Sequence, residues 1–178
     1  MDRQQEDRPQ DQPPLFDILN AIEVDAGVMA YASSLGEAGW KQLLDIATER
    51  GKGKYAPGER ARAVFLLGAL RWRPAFTALR TLLHDESATV RLNAIHALGA
   101  VGGPHAVPPL LTIVKDPLVD LSARAHALRC LADIGDQHTL EELESWAKDE
   151  QHVELRWVAQ VTTNRLRLIL KGLRDPSG

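Results

Sequence analysis

Residues 89–116 read TVRLNAIHALGAVGGPHAVPPLLTIVKD. The pattern gives two short helices joined by Gly102-Gly103-Pro104, since glycines and a proline end one helix and redirect the chain into the next. Displaced 31 residues towards the N-terminus the stretch falls on 58–85, and displaced 33 residues the other way it falls on 122–149. Self-similarity at that period marks stacked helical repeats, none of which can bury its apolar face alone. The expectation is an all-α protein, a right-handed α-solenoid of about four to five antiparallel helical hairpins.

The repeats align column by column. Arg60, Arg91, Arg124 and Arg156 share one position; Ala63, Ala94, Ala127 and Ala159 share a second; Leu67, Leu98 and Leu131 a third; Leu70, Val101 and Ile134 a fourth. In the second helices Phe76, Val107 and Leu140 correspond, as do Leu79, Leu110 and Leu143, and Leu82, Ile113 and Trp146. These spacings make the i, i+3, i+4, i+7 stripe of a buried helix face. The alanine column lets neighbouring helices approach closely.

Around this centre the chain divides into a polar tail (1–13), N-terminal capping helices (14–56), three repeats (57–149) and a C-terminal capping helix (150–174), all in one solenoid. The tail is rich in Gln, Asp, Glu, Arg and Pro, too polar to offset its ordering entropy, and reads as disordered. Leu15, Leu19, Ile22, Val28, Met29 and Ala32, then Trp40, Leu43, Leu44 and Ala47, form a degenerate first hairpin that shields the next repeat. The last helix keeps Arg156 and Ala159 but then carries Gln160, Thr162, Thr163 and Asn164, the loss of apolar character expected of a terminal cap.

Composition narrows the function classes. A formal charge of −3 exerts no global pull towards nucleic acid or an anionic membrane. Cys130 is the single cysteine, which excludes an internal disulfide framework and fits a reducing compartment. No apolar run approaches the roughly 18 residues that span a bilayer. The reading is a cytoplasmic protein, favoured as a monomer, without membrane contact.

The run Asp-x-Val-Arg-x-x-Ala-x-x-Ala-Leu-Gly-x-x-Gly, as in residues 85–102, resembles HEAT repeats over roughly 57–167, and looks most like the short bacterial phycobilisome-lyase HEAT-like type. The resemblance implies a helical superhelix and says little about activity, because such folds carry scaffolds, lyases and enzymes alike. Asp85, Asp116 and Asp149 recur, each followed by Arg91, Arg124 or Arg156. HEAT-like arrays use such Asp/Arg ladders to hold the stack together, so a structural role is expected rather than a catalytic one. The iron enzyme deoxyhypusine hydroxylase is similar in architecture and places His-Glu pairs near the start of its first helices. The matching columns here hold Ala61-Arg62, Leu92-Asn93, Ala125-His126 and Trp157-Val158. No His-Glu pair stands there, which argues against that activity.

The histidines (His84, His96, His105, His126, His138 and His152) show no His-x-x-x-His spacing, and no Cys/His cluster exists, so no metal or other cofactor is expected. Cys130 aligns with Leu66 and Ala97 and reads as packing. Arg71-Trp72-Arg73 stands where the other repeats have turn residues. Trp72 and Arg73 are therefore candidate anchors for a partner, the alternative being that Trp72 folds back over the preceding helices. If the second helices line the concave face, Thr77, Arg80, His84, Pro108, Leu111, Lys115, Glu141 and Glu144 point outwards, with Leu111 beside Arg80 making a mixed apolar and polar strip. The C-terminal helix has a surplus of Arg and Lys, a weak case for nucleic acid in an acidic chain. The function expected from sequence is a non-catalytic scaffold that binds an unidentified protein along this ridge. The alternatives are a chromophore (bilin) lyase subunit and a nucleic-acid-binding HEAT-like protein.

Overall fold

The computed structural model describes residues 15–20, 25–49 and 54–172, and no strand occurs among them. The disordered-tail expectation for residues 1–13 lies outside the described residues. The helices are α1 (Leu15–Asn20), α2 (Ala26–Ser34), α3 (Gly36–Thr48), α4 (Pro57–Ala69), α5 (Phe76–Leu82), α6 (Ala88–Gly102), α7 (Val107–Lys115), α8 (Leu121–Ile134), α9 (Gln137–Asp149) and α10 (Val153–Leu170). This is the α-solenoid that the repeat period predicts.

Helix starts follow from local chemistry. Asp25, Ser87, Asp120 and Asp136 each accept the backbone N–H three residues on, from Val28, Val90, Ala123 and Thr139. Glu59 works in the other direction, its carboxylate taking the Ala56 N–H at 2.6 Å ahead of α4. Short 3-10 turns at Arg73–Ala75 and Gly103–Ala106 lead into α5 and α7. Their prolines, Pro74 and Pro104, fit helix entry because the missing N–H would be unbonded there.

Two layers result. The first helices α4, α6, α8 and α10 pack side by side, and α3, α5, α7 and α9 each pack against the first helix of the following repeat. The core runs along the seam between the layers. Ala63, Ala94, Ala127 and Ala159 are fully buried, as are Leu67, Leu98 and Leu131, and Leu79, Leu110 and Leu143. Close approach is most evident between α4 and α6, where a Cβ on Gly68 would stand 2.7 Å from the Cα of Ala97. The segment Ala88–Lys115 is apolar enough, by length and composition, to cross a bilayer. It is nevertheless broken at Gly103, whose φ is 51°, and its apolar positions fill the stack.

The ladder of charges differs in detail from the sequence expectation. Arg60 pairs with Asp85, but Arg91 reaches Asp120 at 3.2 Å and Arg124 pairs with Glu150, so Asp116 and Asp149 are not the acidic rungs. The reason is reach. Asp116 turns its carboxylate to the N–H of Leu118 at 2.9 Å, while Asp120, the cap of α8, faces the preceding repeat. Arg124 is further fixed by donating from Nε to the Val114 carbonyl at 2.8 Å, with its guanidinium over the Trp146 ring.

The C-terminal cap also departs from the polar face read in sequence. Thr162 and Thr163 are buried, whereas Val153, Trp157, Val161, Ile169 and Leu170 are exposed. Thr163 manages burial by donating its hydroxyl to the Gln160 carbonyl one turn back. The outer side of α10 is thus more apolar than its composition suggests.

Candidate functional site

The expected docking ridge loses its apolar members. Leu111 is 8% exposed and belongs to the core, because α7 rotates it into the seam beside Leu110 and Val114. Trp72 is also 8% exposed. Its ring packs edge-on to Trp40 with centroids 6.3 Å apart, so it seals the joint between the cap and the first repeat. Trp40 in turn donates its indole N–H to the Ala32 carbonyl at 2.9 Å. The folded-back alternative is therefore the one the structure adopts, and neither Trp72 nor Leu111 is available as an anchor.

The remaining ridge residues are polar, apart from Pro108. Arg73, Thr77, Arg80, His84, Pro108, Lys115 and Glu141 are exposed and Glu144 is half-buried. Lys115 is paired with Glu142, and Glu144 with Arg167. The basic C-terminal helix is similarly engaged, since Arg165 meets Asp133 at 2.8 Å and Arg156 donates to the Glu150 carbonyl. No strip of mixed apolar and polar character survives along these positions.

A different feature stands out. Between the first turns of α8 and α10 lies a groove of about 670 Å³, walled by Leu121, Ala125, Val153, Leu155, Trp157 and Val158. Its polar groups are Ser122, His126, Arg129 and Glu154. Trp157 is 65% exposed and Val153 69%, a large apolar surface to leave in water on one helix turn. Among the described residues neither the Arg129 nor the Glu154 side chain forms a hydrogen bond or ion pair. The groove therefore offers an aromatic wall, a carboxylate and a guanidinium, all open to a ligand. It falls on Ala125-His126 and Trp157-Val158, two of the columns named above. Sequence reasoning treated those columns only as missing His-Glu pairs, although an exposed Trp at a capping-helix start was a readable signal.

Beside the groove, His96 and His126 meet edge-on with ring centroids 5.0 Å apart. Burial, then His126 and Arg129, hold the His96 imidazole below the usual histidine range. Burial first, and Asp133 second, push the Cys130 thiol up to about 11. Cys130 is half-buried, with Sγ 3.8 Å from His96 Nδ1. A thiol so disfavoured as thiolate is a packing group and a poor nucleophile.

The two-layered stack of helical hairpins with inter-repeat Arg–acid rungs is an α-solenoid, and within it residues 41–125 match the family model of HEAT repeats. Curated relatives are more specific. The chain is 25% identical over 155 residues to deoxyhypusine hydroxylase of Saccharomyces cerevisiae, covering 82% of this chain and 47% of that protein. It is 30% identical over 107 residues to deoxyhypusine hydroxylase of Bos taurus, covering 60% and 35%, and 26% identical over 118 residues to that of Homo sapiens, covering 66% and 39%. The chain spans less than half the length of these relatives.

Two expectations are corrected by these matches. The relatives are deoxyhypusine hydroxylases and not the phycobilisome-lyase type. They are also named for an enzyme, which overturns the reading of a non-catalytic scaffold. That reading rested on the repeat itself and on the absence from the sequence of an acid–base, nucleophile or metal constellation, and the missing His-Glu pairs argued against the hydroxylase in particular.

The iron implied by the resemblance does not fit the residues present. Of the eight side chains in the four columns, His126 is the single imidazole, and its Nδ1 lies 2.7 Å from the Ser122 carbonyl. Among the described residues, no group of three or more His, Cys, Asp or Glu is assembled to hold a metal ion. Arg62, Leu92 and Trp157 would place a cation or an apolar side chain where ligands would have to stand.

Proposed function

We propose that this chain serves hydroxylase chemistry of the deoxyhypusine class, and that its part is to hold the substrate side chain in the groove between α8 and α10. The observation that carries the reading is the similarity to deoxyhypusine hydroxylases over as much as 82% of this chain. Deoxyhypusine is a lysine-derived amino acid with a long amine-bearing side chain. Glu154 supplies a carboxylate for an ammonium group, and the Trp157 face adds cation–π attraction. Val153 and Leu121 offer apolar contact to the methylene stem, and Arg129 faces carbonyl or carboxylate groups of the same ligand. The reacting metal is not assigned to these residues. The partner in this reading is the polypeptide or free amino acid carrying the amine, met in the cytoplasm.

Calorimetric titration with a deoxyhypusine-bearing peptide tests the proposal. Binding is expected to weaken at least tenfold in Trp157→Ala and Glu154→Gln, with the helical circular dichroism of both variants unchanged. Equal affinity for wild type and both variants, or no heat with any of them, sinks it.

A further inference from the structure

The turn between α4 and α5 holds a backbone conformation that its residue does not favour. Arg71 has a φ of 51° and is the one described non-glycine residue in the left-handed region. The corresponding turn after α6 uses Gly103 at the same φ, with open space where a Cβ would stand. Glycine reaches that region without cost, whereas an L side chain is strained there. Nothing in the packing asks for an arginine. Its neighbour Trp72 does the sealing against Trp40, and Arg71 is exposed; its backbone N–H donates to the Gly68 carbonyl at 3.0 Å, while its side chain makes no hydrogen bond or ion pair with any described residue.

What the Arg71 side chain does is divide two surface notches. One, of about 330 Å³, lies between α4 and α6 against Phe65, Gly68 and Ala97. The other, of about 360 Å³, lies between α6 and α8 against Gly99, Cys130 and Asp133. Arg71, His96 and Ala100 line both. The floor is made of small residues, so a ligand group can come close to the helices. Asp133, the one carboxylate at the rim, is paired with Arg165 at 2.8 Å and does not neutralise Arg71. An unpaired guanidinium beside an imidazole over a shallow floor is suited to an oxyanion, because its planar fork matches two oxygens at once.

We infer that Arg71 and His96 form an oxyanion-binding site on the outer side of the first helices, for a carboxylate or phosphate group, distinct from the α8/α10 groove. The left-handed turn at Arg71 places that residue, with His96, on the lining of both notches.

The test uses Arg71→Gly and His96→Ala in the full chain, with inorganic phosphate and an oligoglutamate peptide as probes. Amide chemical shifts of residues 96–100 are followed through millimolar titration. Wild type is expected to bind at least one probe with saturation, and Arg71→Gly to weaken that binding at least tenfold while raising the melting temperature by relieving the strained turn. Phosphate alone binding identifies a small phosphorylated ligand; the peptide binding more tightly identifies an acidic segment. Saturation of the same shifts in Arg71→Gly, or no saturation with either probe in wild type, overturns the proposal.

Discussion

Arg60 and Asp85 form a buried two-pronged ion pair that ties α4 to the start of the next repeat, at 3% and 2% exposure. The second prong, Nη1 to Oδ1, is 3.2 Å. Asp85 also takes the Ser87 N–H at 3.0 Å, while its own carbonyl receives Arg91 Nη1 at 2.9 Å, so one aspartate joins three helical elements. Asp85→Ala strands a buried guanidinium and is expected to cost about 3–5 kcal/mol. Arg165→Ala breaks the half-exposed pair with Asp133 and is expected to cost less than about 1 kcal/mol. Denaturant midpoints of the two variants measure the difference; similar losses would refute the special place of Asp85. Arg60 Nε is buried without a partner, so the pair is imperfect. Replacing both residues with apolar side chains should therefore cost less than removing Asp85 alone.

Core register separates three substitutions, two in the core and one on the surface. Leu98→Ala, at the centre of the stack, should lose about 2–5 kcal/mol. Leu111→Glu buries a charge in the seam and should unfold the protein or shift its melting point sharply down. Arg80→Glu, fully on the surface, should stay within about 0.5 kcal/mol of wild type. Thermal melts of the three variants decide the matter, and a silent Leu111→Glu would mean that α7 is rotated.

Acid should weaken the stack through its rungs. Burial raises the Glu150 carboxyl, but the His152 N–H and the Arg124 guanidinium outweigh it, and the net shift is downward. The Ala123 N–H lowers Asp120, with Arg91 adding to it and burial opposing. A carboxylate depressed in the folded state contributes stability that is complete above its unfolded value and is lost as pH falls through the folded one. Unfolding free energy should accordingly drop below about pH 4.5, the ordinary carboxylate range. Glu150→Gln should flatten that slope in urea titrations run from neutral to acid pH. An unchanged slope would remove Glu150 from the account.

Cys130 should be slow towards thiol reagents. With its thiol pushed up to about 11, only a minute thiolate fraction exists at neutral pH. Alkylation followed by mass should accelerate steeply through alkaline pH and show no plateau before the protein unfolds. Fast labelling at pH 7 would show that α8 opens more readily than its burial implies.

Much of the solenoid was legible because stacking repeats leave an imprint at a fixed period. Ala63, Ala94, Ala127 and Ala159 had to be small in every repeat, so the column could be read without knowing what faced it. Trp72 was legible only as an oddity. Its neighbours in sequence are solvent-facing arginines, and whether the ring turned outwards or back depended on Trp40, thirty-two residues earlier. Leu111 was misplaced because α7 buries a wider face than the shared columns mark: Leu110, Leu111, Ile113 and Val114 are all buried, whereas the aligned Arg80 of α5 is exposed. The acidic rungs Asp120 and Glu150 were missed in favour of Asp116 and Asp149 for a similar reason, since sequence columns carry no information about which neighbouring carboxylate an arginine can reach.

Period, small-residue columns and glycine-proline turns by themselves determined that this chain is a stack of helical hairpins, because those features act locally or between adjacent repeats. Only the tertiary structure decided where chemistry can occur. The α8/α10 groove and the Arg71–His96 notches are made of residues far apart in the chain that only the packing brings together. Their meaning depends on which side chains the packing leaves unpaired and exposed, and that is set by helix rotation and reach across repeats.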